Sequence, residues 1–206
     1  MTGDADVIDA LVGITPRSSL DAIRARRPEA RAHAQATYRA LFAPHAVGNI
    51  GLHERFAIAA FTAGLHEATA IATIYVERLV ETGASAELKE AIDAAVTEAR
   101  TRGPYGRYPI GPLSREDSPG PVYRVGPVIR RALGRRLAAA FEHVHMLVFH
   151  PRDAAAVALQ ALVDAGWSTT DIVTLSQIVA FLSFQIRVIA GLRVLAAHPA
   201  PPTDTT

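Results

Sequence analysis

Cysteine is absent from the 206 residues. That removes disulfides, thiolate nucleophiles, zinc–thiolate sites and iron–sulfur clusters together. It is compatible with a reducing compartment. Lysine is nearly absent too: Lys89 is the only one, and arginine carries the remaining positive charge. Neither sign of charge dominates, with 21 Lys+Arg against 20 Asp+Glu, so general nucleic-acid binding has no electrostatic basis. Alternating strand-like runs of useful length are missing. The glycines from Gly103 to Gly120 are interrupted by prolines and precede no suitable strand, which argues against a nucleotide-binding loop. The opening Met1-Thr2-Gly3-Asp4 lacks the basic and apolar run of a signal peptide, and a cytoplasmic location is expected.

What is present is alanine and helical periodicity. The expected fold class is all-α. Helices are expected over Asp4–Val12, Ser19–Arg27, Pro28 towards Phe42, and from Leu52. Pro28 suits a first helical turn, where its missing N–H leaves no bond unmade. Glu54, Ile58, Phe61 and Leu65 share one face at three- and four-residue spacing. A further helix ends at Gly83, and Ser85 caps the next, which runs to about Arg100. Arg102–Pro121 reads as a long loop rich in Gly, Pro and Tyr, a length usually tied to function or mobility. A helix over Pro127–Phe149 carries the stripe Ile129, Leu133, Leu137, Phe141 and Val148. Pro151 opens another helix, which Gly166 ends. Ser168 to Asp171 resembles a capping box leading into the last helix.

The span Ile172–Leu192 is apolar enough to suggest a membrane helix, but it contains Gln177, Gln185 and Arg187. A mid-span arginine costs roughly 2.5–3.5 kcal/mol on insertion scales. A core or subunit-interface helix is the better reading, so no membrane is expected. Between Ile178 and Ile189 it is apolar nearly all round, which predicts burial on every side and, by symmetry, a homo-oligomer. Residues 1–197 are expected to form one helical domain, with 198–206 a disordered tail. Half-repeats of about 52–101 and 126–197, linked by 102–121, are suggested by a weak echo. Val76 to Ser85 and Leu159 to Ser168 share an amphipathic helix, Gly, one residue, then Ser. Duplication of a helical hairpin and common local grammar both explain it.

His53-Glu54-Arg55-Phe56-Ala57-Ile58-Ala59-Ala60, with Tyr75 and Gly83-x-Ser85, resembles the alkylhydroperoxidase D-like (AhpD-like) superfamily, the carboxymuconolactone decarboxylase (CMD) domain. Ala165 to Ser168 and Phe184 to Val188 look like the peroxidase-related branch of CMD domain proteins. The resemblance covers about residues 20–197 and implies an AhpD-like helical bundle. In the family's thiol peroxidases, one thiolate attacks the peroxide, a second resolves the sulfenic acid, and Glu and His relay protons. Glu54 stands in the family's Glu position, but the two cysteine positions fall on Ala68 and Ile71, and the histidine on Tyr75. Peroxide reduction by that route is excluded.

The resemblance instead implies a small, anionic organic substrate, with Glu54, His66 and Tyr75 as acid/base catalytic residues and Arg187 as the substrate anchor. The reaction would be of lyase or oxidoreductase type. Each residue also has a plainer reading. Glu54 suits a first helical turn, His66 a helix junction and Tyr75 a core position. A buried Arg187 needs a carboxylate partner, for which Glu54 is a candidate. His143, His145 and His150 face apart: His143 lies about 160° and His150 about 140° from His145 around one helix, so no metal site is expected. Arg130, Arg131, Arg135 and Arg136 read as a solvated basic face. No cofactor is predicted; flavin, metal and haem stay open. The expected partners are a second copy of the chain, the small-molecule substrate and a thiol-bearing paralogue. The alternative function is a non-catalytic oligomeric subunit that serves structure or binds a partner.

Overall fold

The computed structural model describes residues 5–198. Among them are nine α-helices and no strand, so the chain is all-α. The expected tail lies outside the described residues, apart from His198. Contacts divide the chain into two units, one reaching to Pro44 and resuming at Phe184, the other running from His45 to Ser183.

The first unit contains α1 (Val7–Val12), α2 (Ser19–Ala25) and α3 (Pro28–Phe42). Asp6 caps α1 by accepting from the Asp9 amide, and Ser18 caps α2 from the Asp21 amide. Such short helices depend on tertiary ties. The ties here are ionic. Arg24, almost wholly buried, bonds Asp6 and Asp9, while Arg31 bonds Asp9 and Asp21. Gln35 joins α3 to the start of α1, accepting from the Val7 amide and donating to the Ala5 carbonyl.

The second unit is built on α4 (Leu52–Leu65), whose residues Arg55 to Ala63 are all buried. Around it pack α5 (Thr69–Glu81), α6 (Ala86–Ala99) and α7 (Pro127–Phe149). Small residues allow the close approach: a Cβ on Gly64 would lie 2.5 Å from Val96 of α6. Phe61 of α4 stacks face to face on Phe141 of α7, with centroids 4.1 Å apart and neither ring exposed. Helix α7 follows the expected stripe through Ile129, Leu133, Leu137 and Phe141 but leaves Val148 half-buried. Gly134, at φ +73°, interrupts it, and the break separates Arg130 and Arg131 from Arg135 and Arg136.

Pro151 opens only a short 3-10 turn, Pro151–Asp153, and α8 begins after it as Ala156–Asp164. The last helix, α9, runs Thr169–Ala197. Its predicted capping box is present: Asp171 accepts from the Ser168 amide and Ser168 Oγ accepts from the Asp171 amide. The two echoed segments adopt one turn form. Gly83 and Gly166 have φ of +84° and +96°, and each is followed two residues later by a capping serine.

Burial of α9 differs from the sequence expectation. Leu175, Ile178, Leu182 and Ile189 are buried, but Ala180, Phe184, Arg187 and Ala190 are exposed. A helix apolar all round buries only the face that its own chain covers. By length and composition α9 is long and apolar enough to cross a membrane.

Candidate functional site

The residues expected to act together are dispersed. Glu54 and His66 occupy opposite ends of α4; twelve residues at helical rise separate them by about 18 Å. Both Glu54 oxygens accept from the Arg136 guanidinium, at 2.9 and 3.2 Å. That guanidinium also bonds the Gly166 carbonyl and lies 4.2 Å over the Trp167 ring, while the Trp167 indole N–H donates to the Arg136 carbonyl. Glu54 thereby fastens the start of α4 to α7 and to the turn before α9. The hydrogen-bonded Glu54 beside it holds the Arg136 pKa above the usual value. His66 closes α4 and meets Ser183 Oγ at 3.0 Å. Tyr75 is buried on α5 in line with Ile71 and Leu79.

Arg187 corrects the reading that placed it inside the core. It is exposed, three residues after exposed Phe184, on the uncovered stripe of α9. The basic face is corrected as well. Arg136 belongs to the Glu54 latch and is half-buried, while Arg130, Arg131 and Arg135 are exposed, Arg130 bonding Glu142.

A different set of side chains converges in the second unit. A cavity of about 280 Å³ lies between the second half of α7, the segment Val122–Arg124 and the start of α8. Its inner surface carries Tyr123, His143, His145 and His150, all buried. His143 and His145 lie on α7 and His150 just past its end, and all three line this one cavity. Among the described residues, no group of three or more His, Asp or Glu could hold a metal ion.

Each polar group here is held differently. His150 meets the Pro121 carbonyl through Nε2 at 2.9 Å and Asp153 through Nδ1 at 3.1 Å. Asp153 also accepts from the Arg107 amide. Glu142 accepts from Arg124, Arg130 and the Val125 amide, pinning the end of the segment that carries Tyr123. Gly120 precedes that segment and lies against the Tyr105 ring; a Cβ there would come within 2.2 Å of it, so only glycine fits. Burial, with the neighbouring charge of His150 adding to it, lowers the His145 pKa to about 4, against a hydrogen bond to the Ala99 backbone. Burial lowers that of His143 too. Burial first, then Glu98 and Glu142, raises the Tyr123 hydroxyl to about 12. At neutral pH His143, His145 and Tyr123 are therefore uncharged.

The Tyr123 hydroxyl and both ring nitrogens of His143 are buried without a hydrogen-bond partner. Orphaned polar atoms cost about 1–3 kcal/mol each, so their occurrence in two residues that line one cavity calls for an explanation beyond packing. The sequence reading passed over Tyr123. The signal was the tyrosine-bearing Gly/Pro loop leading into α7. A larger groove of about 650 Å³ runs across α4, α5 and α6 over Ala60, Gly64, Val76 and Val96. No orphaned buried polar atom lies on it.

No protein-family model, no curated protein and no solved structure matches this chain.

Proposed function

We propose that the second unit binds a small neutral organic molecule in the cavity between α7, α8 and Val122–Arg124. The observation that carries the reading is that two residues lining that cavity, Tyr123 and His143, each keep buried polar atoms without a hydrogen-bond partner. Apolar walls with a few placed polar groups are the usual make-up of a ligand site, and about 280 Å³ suits one or two rings. The side chains left without partners there, Tyr123 and His143, are uncharged at neutral pH, which favours a neutral ligand over the anionic one expected from the sequence. Arg124 also lines the cavity and shares Glu142 with Arg130. A neutral imidazole can accept a proton and a phenol can donate a hydrogen bond, so acid/base chemistry without thiols remains the reaction type proposed. AhpD-like ancestry is likewise a proposal, supported by the all-helical fold and the Gly83-x-Ser85 turn.

The test is a fragment screen by ligand-observed NMR on the intact protein. Neutral one- and two-ring fragments should bind, and Tyr123→Phe and His143→Phe should each weaken them while the protein stays folded. Binding that both variants leave unchanged, or hits confined to anions, would overturn the reading.

A second reading, self-association, draws on α9. Val173, Phe184 and Val194 are exposed apolar side chains at 57, 45 and 61%. Native mass spectrometry should report a homo-oligomer that Phe184→Glu dissociates; a monomer at all concentrations would exclude it.

A further inference from the structure

His150 meets two acceptors at once, and that fixes the protons it must carry. We propose that His150 is held as an imidazolium whose two ring N–H groups fasten the cavity wall, so that loss of one proton releases the Pro121 end of Val122–Arg124. What that release does to a ligand rests on the binding function proposed above; the release itself is tested without a ligand.

Three features carry it. The first is hydrogen-bond stoichiometry. Nε2 of His150 lies 2.9 Å from the Pro121 carbonyl and Nδ1 lies 3.1 Å from an Asp153 oxygen. A backbone carbonyl and an ionised carboxylate can only accept. A neutral imidazole has one N–H, so in either tautomer one ring nitrogen would point its lone pair at an oxygen lone pair. A second proton on the pair removes that conflict. It sits on the ring rather than on Asp153, because an ordinary imidazole is the stronger base, at about 6.5 against about 3.9 for an aspartate.

The second feature is the set of charges around the ring. His150 is 4% exposed, whereas the Asp153 side chain is 41% exposed and also accepts from the Arg107 amide. A buried cation thus meets a carboxylate that water and a backbone N–H keep ionised. From α7, the His145 ring lies 5.8 Å away and is uncharged at neutral pH, so it does not oppose the cation. From the Gly/Pro loop, the Tyr105 ring lies 5.0 Å away at 39°, an aromatic surface beside the charge. Arg152, in the same turn as Asp153, is engaged elsewhere: its guanidinium lies over the Tyr108 ring and donates to the Glu116 carbonyl. Of the other ionisable groups on the cavity, His143 is uncharged and Glu142 pairs with Arg124 and Arg130.

The third feature is what the ring ties together. Its Nε2 bond holds the carbonyl just before Val122, Tyr123 and Arg124, all three of which line the cavity. Gly120 lies against the Tyr105 ring, and that ring lies beside His150. When the imidazolium loses a proton, the one that remains stays on Nδ1, because a carboxylate is the stronger acceptor. Nε2 then turns a lone pair towards the Pro121 carbonyl, and that tie is lost. Glu142 still holds the Val125 amide, so the wall is released at one end only.

Imidazole nitrogen NMR of the intact protein from pH 5 to 9 tests this directly, with the Pro121 carbonyl carbon followed in the same titration. His150 should carry two N–H groups at pH 7, where an ordinary imidazole has mostly lost one. The Pro121 carbonyl resonance should move with the His150 midpoint. Asp153→Asn should lower that midpoint by at least about one pH unit, since a carboxylate in contact favours the charged ring. His150→Phe should leave the Pro121 resonance indifferent to pH. Far-UV circular dichroism and melting curves establish that each variant is folded; if one is not, the other carries the test. A single N–H on His150 at pH 7, a Pro121 carbonyl that ignores the His150 midpoint, or an unchanged midpoint in Asp153→Asn overturns the inference. A neutral fragment that binds the cavity should bind at least about tenfold more weakly above the midpoint than below it. Equal binding on both sides overturns the control over ligands, whereas a fragment screen without hits at any pH overturns the binding function and leaves the His150 tie standing.

Discussion

Single residues set the pH behaviour of the second unit. Burial pushes the His145 imidazole from its usual 6.5 down to about 4 in the folded chain. Between those values the unfolded chain binds the extra proton, so stability is complete above about pH 6.5 and falls as pH drops towards 4. His143 acts in the same direction. Tyr123 gives the opposite limb: its folded pKa of about 12 lies above 10.0, so stability is lost as pH rises from about 10 to 12. Full protonation of His145, below about pH 4, costs about 3 kcal/mol of the stability present at neutral pH. Melting temperatures across pH 4–8 should fall on the acid side, and less steeply in His145→Phe; superimposable profiles would remove His145 as the cause. Glu54 belongs to this scale as well. Its carboxylate accepts two bonds from Arg136, so Glu54→Ala should cost about 1–3 kcal/mol by taking both bonds from a half-buried guanidinium that keeps the Gly166 carbonyl and Asp171 at 4.0 Å. Urea denaturation measures it, and a neutral outcome would mean that the latch is dispensable. Nothing in the sequence joined residues 54 and 136, which lie 82 apart. Periodicity assigns a residue to a face but does not say which face it meets.

At the scale of elements, the segment Pro121–Val125 supplies Val122, Tyr123 and Arg124 to the wall of the cavity. His150 holds its first carbonyl and Glu142 its last amide. Glu142→Leu should release the Val125 amide, raising its hydrogen-exchange rate by at least about tenfold while α4 amides remain protected. Unchanged exchange at Val125 would show that Glu142 does not fasten the segment. Most helices were legible here because their boundaries have local causes. Pro28 and Pro127 sit at helix starts, Ser85 and Ser168 cap, and Gly83 and Gly166 turn the chain. The start of α8 was misplaced because Pro151 fits a 3-10 turn as readily as an α-helical first turn. The cavity was not legible, since it is formed by a loop that carries no periodicity.

Across the whole molecule, the two units are stabilised in different ways. The second is a packed aromatic and alanine-rich core around α4; the first depends on buried ions, with Arg24 between Asp6 and Asp9. Arg24→Met leaves both carboxylates without that cation and should destabilise the first unit by about 3–5 kcal/mol. Proteolysis and hydrogen exchange should find α1 to α3 loosened. Equal protection in wild type and variant would assign little to the ionic cluster. The all-α class followed from the absence of alternating runs, whereas the burial of α9 did not follow from its composition. Hydropathy reports what a helix can bury, and covering it requires a partner surface. The central claim is that the cavity lined by Tyr123 and His143 binds a small neutral ligand. Imidazole nitrogen NMR of selectively labelled His143, with and without a neutral one-ring fragment that binds the protein, tests it most directly. His143 should be neutral at pH 7, because burial lowers its pKa, and the fragment should shift its ring nitrogens. A protonated His143 at pH 7, or nitrogen resonances that a bound fragment leaves unmoved, would contradict the account.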